Sequence, residues 1–134
     1  MAEKIRTKKE RIERRKENRD KRPCAHARHI RISPYKVRVV LDTVRGKSVN
    51  EALALLDATP KGASEVVSKL IRSATANAEH NAGLSRADLL IAEIFADGGP
   101  TLKRMQPVSK GRGYRINKRT SHITVILDAA KEAE

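Results

Sequence analysis

The chain has 134 residues and a net charge of +13, from 29 Lys and Arg against 16 Asp and Glu. This length fits one domain with a single core. No stretch approaches the roughly 18 apolar residues of a membrane span, and no apolar run follows the basic N-terminus as in a secretory signal. Cys24 is the only cysteine, so no internal disulfide can form, and a reducing, cytoplasmic setting is expected.

The positive charge is concentrated in two segments. Residues 1–22 carry 11 basic and 5 acidic side chains, and residues 97–121 carry 7 basic side chains and 1 acidic side chain. The rest of the chain has a net charge of only +1. We therefore expect a nearly neutral domain with two cationic appendages. Its partner should be a polyanion, because Lys and Arg that meet phosphates release condensed counterions.

The first segment, residues 1–22, contains almost no apolar side chains beyond Ile5 and Ile12. Such a segment cannot bury enough surface to fold alone. It is predicted to be a basic N-terminal extension that becomes ordered only on RNA, or else a solvated tail that adds solubility. Residues 23–134 then form a single domain that includes an extended hairpin over residues 97–122.

A short strand and a first helix are predicted next. The strand covers "AHARHIRI", residues 25–32. Ser33 and Pro34 then predict a helix start, because Ser can accept a hydrogen bond at the N-cap and Pro has no donor to lose at N1. Apolar residues follow at helical spacing, and Gly46 suits a left-handed helix end.

Two further helices follow. Ser48 and Glu51 have the spacing of a capping box, which opens a short second helix. The third helix starts near Pro60, ends near residues 81–83, and has the clearest amphipathic pattern in the chain. Its apolar stripe consists of Ala63, Val66, Val67, Leu70, Ile71, Ala74 and Ala78.

A β-hairpin is predicted around the second cationic segment. An apolar strand within residues 88–100 ends at Gly-Gly-Pro, and residues 121–127 return as a strand with alternating apolar side chains. Gly111 and Gly113 lie near the midpoint and suit a reversal. Arms of about 12 residues would project roughly 40 Å. A ribbon of two strands that long is marginal in water, so a partner is expected to hold it.

No catalytic or metal site is predicted. Cys24, His26 and His29 are close in sequence, but they lack a fourth ligand, and a strand would separate the two imidazole rings. His80 lies at a helix end, where it can cap carbonyl groups or meet a phosphate. No phosphate-binding loop or catalytic carboxylate pair is present. We therefore expect no enzyme activity, no cofactor and no metal.

The pattern instead favours binding to nucleic-acid backbones. The chain has only three aromatic side chains, which disfavours recognition of single-stranded bases by stacking. Basic side chains on both faces of the hairpin would suit a ribbon with RNA on both sides, although a solvated charged loop is an alternative. The first helix and its flanks could extend this surface, or could carry ordinary solvated charges, through Arg28, Arg31, Lys36, Arg38, Arg45 and Lys47.

Three stretches resemble a known family. They are "SPYKVRVVLDTVRGKSVNEALALL", "SATANAEHN" and "GPTLKRMQPVSKGRGYRINKRTSHITVIL", and the match covers about residues 25–128. The family is that of the bacterial large-subunit ribosomal protein twenty-two. The resemblance implies an α+β fold in which three helices pack on a small antiparallel sheet with one very long protruding β-hairpin. It also implies a cytoplasmic, structural role on large-subunit ribosomal RNA, beside neighbouring ribosomal proteins, and early action in subunit assembly.

The resemblance also implies roles for individual hairpin residues. The tip would line the polypeptide exit tunnel and face the nascent chain with Lys110, Gly111, Arg112 and Gly113. The shaft would bind RNA through Lys103, Arg104, Arg115, Lys118, Arg119 and His122. The segment from Leu102 to Pro107 would lie near the macrolide region of the tunnel. Gly98 stands where the family pattern has an acidic residue, and residues 1–22 lie outside the matched core.

One other class of protein explains the charge equally well. A free basic DNA-binding or RNA-binding protein, such as an RNA chaperone, would bind many duplexes. The ribosomal interpretation predicts tight binding only to folded large-subunit RNA.

Overall fold

The computed structural model describes residues 12–13 and 20–129 of the chain. The helices are α1 (Pro34–Val44), α2 (Val49–Ala58) and α3 (Gly62–Ala82), followed by one 3-10 turn (Arg86–Asp88). The strands are β1 (Cys24–Ile30), β2 (Leu89–Gly98), β3 (Leu102–Pro107), β4 (Gly113–Lys118) and β5 (Ser121–Ala129). Residues 12–13 have helical backbone. The predicted extension covers residues 1–22, of which residues 1–11 and 14–19 lie outside the described residues.

The main sheet has three antiparallel strands in the order β1-β5-β2, so the last strand in the chain is central. Alternate residues of β5 are fully buried, namely Ile123, Val125 and Leu127, as the sequence predicted. This alternation arises because successive side chains of a strand point to opposite faces. One face of the sheet therefore carries the core, and the three helices of residues 20–129 pack on that face.

The core lies between this sheet face and the apolar stripes of the helices. Val37 and Leu41 of α1 and Val67 and Ile71 of α3 are completely buried, at spacings of four residues that place each pair on one side of its helix. Burial of each such side chain contributes roughly 1.5–3 kcal/mol. The expected α+β class, with three helices on a small antiparallel sheet, is confirmed.

The boundaries of α1 follow the sequence signals with one correction. Pro34 is the first helical residue, and Gly46 adopts a φ of 74°, as predicted. The side chain of Ser33, however, accepts no hydrogen bond from the helix. Its carbonyl oxygen accepts instead from the backbone N–H of Lys36, at 3.0 Å, and of Val37, at 3.2 Å. The cap of α1 is therefore made by the carbonyl of Ser33 and not by its hydroxyl.

The starts of α2 and α3 also differ in detail from the predictions. Ser48 Oγ accepts from the N–H of Glu51 at 3.3 Å, which is one half of the capping box. The Glu51 carboxylate does not bond back, because it pairs with Lys47 Nζ at 2.7 Å. Helix α3 starts two residues after Pro60 and ends at Ala82, as predicted near residues 81–83, with Gly83 as a left-handed C-cap at a φ of 63°.

A second sheet consists of β3 and β4 alone, and forms the hairpin. Its strands pair regularly from Leu102–Lys118 to Pro107–Gly113, six residues on each side. The hairpin continues β2 and β5, since Gly98 pairs with Ser121 at the end of the main sheet. Regular pairing covers about half of the 12 residues expected for each arm, or roughly 20 Å. The remaining residues belong to an irregular segment between the two sheets and to the loop at the tip.

We call this segment the neck: residues 99–101 on one arm and 119–120 on the other. Three residues on one side face two on the other, as in a β-bulge. Pro100 cannot donate to the ladder, and its carbonyl accepts from Thr120 Oγ1 at 2.6 Å. Gly99 is required by space, because a Cβ there would lie 2.5 Å from Thr120 Oγ1. The neck therefore joins the hairpin to the domain by a fixed set of contacts.

Candidate nucleic-acid interface

The hairpin shaft, β3 and β4, carries basic side chains on both of its faces. Directly paired residues share a face, so the pairs Leu102–Lys118 and Arg104–Ile116 place Lys118 and Arg104 on one side. The intervening pairs Lys103–Asn117 and Met105–Arg115 place Lys103 and Arg115 on the other side. Each face thus presents two cations, which confirms the expected arrangement of charge.

The basic side chains of the hairpin are exposed. Among the residues that the structure describes, none of the seven basic side chains in residues 97–121 forms an ion pair. Arg104 makes only a local hydrogen bond, from its guanidinium to the carbonyl of Lys103 at 2.8 Å. Met105 and Tyr114 are also exposed, by 67% and 69%. A surface with unpaired cations and exposed apolar groups is suited to a large polyanionic partner.

The hairpin tip is a five-residue loop over residues 108–112. The N–H of Val108 donates to the carbonyl of Arg112 at 2.9 Å, and the N–H of Arg112 donates back to Ser109 at 3.4 Å. Lys110 and Gly111 both lie in the left-handed region, with φ of 59° and 67°. This loop begins two residues before the predicted reversal at Lys110–Gly113 and ends one residue before it, because Gly113 already belongs to β4. Lys110 and Arg112 remain exposed at the end of the arm.

His122 lies at the base of the hairpin and is half-buried. Its Nδ1 accepts a hydrogen bond from the N–H of His29 at 3.0 Å, and the two rings meet edge to face with centroids 4.8 Å apart. His29 has a φ of 57° and lies within the irregular end of the β1–β5 ladder. One nitrogen of His122 therefore serves the fold, which leaves Nε2 for a partner.

Three of the basic residues predicted on the first helix and its flanks have partners inside the protein. The Arg38 guanidinium donates twice to the carbonyl of Ala96, at 3.0 and 2.9 Å. Arg45 pairs with Asp42 at 2.7 Å and donates to the carbonyl of Ile94 at 3.2 Å. Lys47 pairs with Glu51. These arginines satisfy carbonyl groups on the outer edge of β2, so they bind α1 to the sheet and protect an exposed strand edge.

The other predicted cations of this region are free of such contacts. Among the described residues, Arg28, Arg31 and Lys36 have no ion pair, and all three are exposed. Arg31 and Lys36 line one cavity, and the structure places Lys61 beside them. The sequence reasoning missed Lys61. Its position just before the third helix start, after Pro60, was the signal that could have identified it.

The end of the N-terminal extension is attached to the sheet. Arg22 donates to both oxygens of Asp20 and reaches Glu93 on β2 at 2.7 Å. Hydrogen bonds from Arg22 hold the pKa of the Asp20 carboxyl below its usual value, and Asp20 and Glu93 in turn raise the pKa of Arg22. Arg22 thus serves as an anchor within the domain.

The cysteine and histidine cluster does not converge on a metal. His26 Nδ1 lies 3.1 Å from Thr124 Oγ1, whereas His29 contacts His122, so the two rings are separated as expected for a strand. Cys24 Sγ lies 3.8 Å from His26 Nε2. Within the described part of the chain, no group of three or more potential ligands comes together.

The fold and this interface define a class of protein: a small α+β domain that presents a cationic two-stranded arm to a polyanion. No helix in the described ranges is long and apolar enough to cross a membrane. The family model for ribosomal protein L22p/L17e matches residues 25–128. These residues contain the whole of both sheets except the two outermost strand residues, as well as all three helices.

Curated relatives agree with this match. The large ribosomal subunit protein uL22 of Desulfitobacterium hafniense, strain DSM 10664 / DCB-2, is 56% identical over 108 residues, which cover 81% of this chain and 95% of the relative. The protein of the same name from strain Y51 gives the same identity and coverage. The chain therefore belongs to the ribosomal protein L22p/L17e family.

Proposed function

We propose that this protein is a structural constituent of the large ribosomal subunit, where it binds large-subunit ribosomal RNA and aids early subunit assembly. It works in the cytoplasm as part of the ribosome, beside neighbouring ribosomal proteins, and its role is structural rather than catalytic, with no cofactor. Membership of the family supports this proposal, as do the names of the relatives.

One observation carries the proposal: the shaft has exposed cations on both faces and none of them has an acidic partner among the described residues. A hairpin that lay on a flat surface would need cations on one face only. Arg can span two phosphate oxygens with its planar fork, while Lys acts as a point charge. The arrangement therefore supports a hairpin inserted between RNA segments, which bind it through their phosphates.

The roles of shaft and tip differ in this proposal. The shaft and its base hold RNA through Lys103, Arg104, Arg115, Lys118, Arg119 and His122. The tip, at residues 110–113, lines the polypeptide exit tunnel and faces the nascent chain. Arg28, Arg31 and Lys36 add a second area of contact with RNA, and the N-terminal extension becomes ordered on RNA. Arg38, Arg45 and Lys47 use some of their N–H donors within the protein, and they contribute to RNA binding through their charge and their remaining donors.

Association with the ribosome in high salt tests the main proposal. We expect the wild-type protein to stay with large subunits when particles are washed in high salt. A variant in which Gln replaces Arg104, Arg115, Lys118 and Arg119 should be released. Each lost phosphate contact lowers the affinity for RNA and also makes the affinity less dependent on salt. Release of the wild-type protein into the soluble pool would refute the ribosomal role in favour of a free nucleic-acid-binding protein.

A crosslinking experiment tests the position of the tip. A photoreactive residue in place of Lys110, in purified translating ribosomes, should crosslink to the nascent peptide or to tunnel RNA. The matched control carries the same residue in place of Ala76, which is exposed on α3. Crosslinks from position 110 to surface RNA alone would show that the tip lies elsewhere.

A further inference from the structure

A cavity of about 590 Å³ lies where the β1–α1 turn meets the start of α3. We call it the α1–α3 cavity. Its cationic side consists of Arg31, Lys36 and Lys61, and its apolar side consists of Ile32, Val39 and Ala63. This volume lies within the range of roughly 300–1,000 Å³ that is typical of small-molecule sites.

The charge of the cavity is of one sign. None of its lining residues is Asp or Glu. Within the described residues, Arg31, Lys36 and Lys61 form no ion pair and their side chains donate no hydrogen bond. Three cations around one cavity repel each other, and a bound anion would remove that repulsion. The electrostatics therefore favour an anionic group.

The apolar side of the cavity is open to solvent. Val39 is 52% exposed, although the other aliphatic side chains of its helix are buried. An aliphatic surface beside a group of cations fits a ligand that is part anion and part apolar ring. A nucleotide has this composition, because its phosphate is charged and its sugar and base have apolar faces.

Backbone groups add donors at the same place. Gly62 and Ala63 open α3, and the first N–H groups of a helix have no intrahelical acceptor. A Cβ built on Gly62 would meet nothing within 4 Å, so this side of the residue is open. The adjoining cavity, of about 420 Å³, shares Lys61 and Gly62 but is also lined by Asp57 and Glu65, so the cationic surface is confined to the α1–α3 cavity.

We propose that the α1–α3 cavity binds one nucleotide of the large-subunit ribosomal RNA, independently of the hairpin. Its phosphate contacts Lys36, Lys61 and the open amide groups of α3, and its sugar and base cover Val39 and Ile32. Ser33 is the single uncharged polar side chain of the lining, and its hydroxyl can both donate and accept, so the cavity does not select strongly among bases. This inference rests on the proposed function and specifies what is bound within the second area of contact, to which Arg31 and Lys36 belong.

A charge placed in the cavity tests the inference without disturbing the fold. Gly62→Glu introduces a carboxylate beside the phosphate position, where there is space for it. A negative charge at a helix N-terminus is favourable, so the thermal stability should not fall. Ala76→Glu changes the net charge equally on an exposed site of the same helix, about 21 Å along its axis.

The assay is binding of the full-length chain to transcribed large-subunit ribosomal RNA. We expect Gly62→Glu to weaken binding about tenfold and Ala76→Glu by less than about twofold, because only the former opposes a charge-assisted phosphate contact. Equal affinities for the two variants would overturn the inference. If Lys118→Ala/Arg119→Ala still weakens binding in that case, the proposed function stands. Equal wild-type affinity for this RNA and an unrelated structured RNA would refute the proposed function itself.

A second variant distinguishes a nucleotide from a phosphate alone. Val39→Thr keeps the side-chain shape but replaces a methyl group by a hydroxyl at an exposed position. We expect it to weaken binding by about twofold to threefold, with no change in salt dependence, because it alters only the apolar contact. A loss for Gly62→Glu with none for Val39→Thr would overturn the assignment of a nucleotide.

Discussion

The folded domain and the hairpin shaft use the same residue type for opposite purposes. In the domain, Arg38 and Arg45 donate to the carbonyls of Ala96 and Ile94, so their hydrogen bonds hold α1 to the sheet. In the shaft, Arg104 and Arg115 are exposed and have no acidic partner among the described residues. Composition alone does not distinguish the arginines of the domain from those of the shaft. What separates them is the position of the acceptor: Arg38 and Arg45 reach carbonyls on another element, whereas Arg104 reaches only the carbonyl of its neighbour Lys103.

The two regions also differ in what stabilises them. The domain has a core in which residues such as Leu41 and Ile71 are fully buried, whereas every β3 and β4 side chain is exposed or half-buried. An isolated pair of strands is only marginally stable in water. Stability and RNA affinity should therefore be carried by different residues, and substitutions can test that separation.

The largest effect is expected from removing a core side chain. Leu41→Ala should lower the free energy of unfolding by about 2–5 kcal/mol, because it removes buried methyl groups and leaves a cavity. Urea unfolding followed by circular dichroism would measure the change. Met105→Ala, on the exposed shaft, is the control and should change it by less than about 0.5 kcal/mol. Similar losses for the two variants would contradict the separation of core and shaft.

The next largest effect concerns RNA binding by the hairpin. Lys118→Ala/Arg119→Ala should weaken binding to large-subunit RNA more than Lys110→Ala/Arg112→Ala, because the shaft is proposed to hold RNA and the tip to face the nascent chain. Each lost phosphate contact should reduce the magnitude of the salt slope by roughly 0.7–0.9. Binding measured at several salt concentrations gives both quantities. Equal losses in the two double variants would refute the division between shaft and tip.

A smaller effect is expected from Arg38. Arg38→Ala should lower the free energy of unfolding by about 1–2 kcal/mol, because the Ala96 carbonyl loses two hydrogen bonds from a charged donor. Lys36→Ala, on the same helix but without an internal partner, is the matched control for lost charge. If Lys36→Ala reduced the melting temperature as much as Arg38→Ala, the Ala96 contact would not be the cause.

The smallest effect concerns an exposed ion pair of the domain, of a kind that the described shaft lacks. A hydrogen bond from Lys69, at 2.6 Å, lowers the pKa of the Glu65 carboxyl from its ordinary value of 4.5. The ion pair therefore stabilises the fold at pH values above 4.5. This contribution is lost as the pH falls through the lowered pKa that Glu65 has in the folded state. Thermal unfolding of wild type and Glu65→Gln should differ slightly at pH 7 and coincide in strong acid. A difference that persisted there would exclude ionisation of Glu65 as its cause.

Local patterns predicted much of the fold. The stripe of α3 and the alternation of β5 follow directly from the periods of helix and strand, and Gly46 and Gly83 mark helix ends by their left-handed backbone. Ser33 was predicted to cap α1 with its side chain, but its carbonyl does so. That choice depends on side-chain orientation, which residue spacing does not determine.

The candidate interface was predictable in the hairpin and less so in the domain. Alternation along a strand is enough to place Lys103 and Arg104 on opposite faces. Arg38 and Lys61 required tertiary structure, since the carbonyl that binds Arg38 is 58 residues away in sequence. The arm length was estimated by assuming continuous pairing, and Pro100 interrupts that pairing at the neck.

A small rotation at the neck is amplified along the hairpin. The shaft extends roughly 20 Å beyond it, so a rotation of about 10° at the neck would move the tip by roughly 3–4 Å. A hydrogen bond to a phosphate weakens over a much smaller displacement. Gly99 and Thr120 touch no RNA in the proposed interface, yet they set the direction in which every cation of the shaft points. The contacts at the neck therefore determine how well the cations of the shaft align with their phosphates.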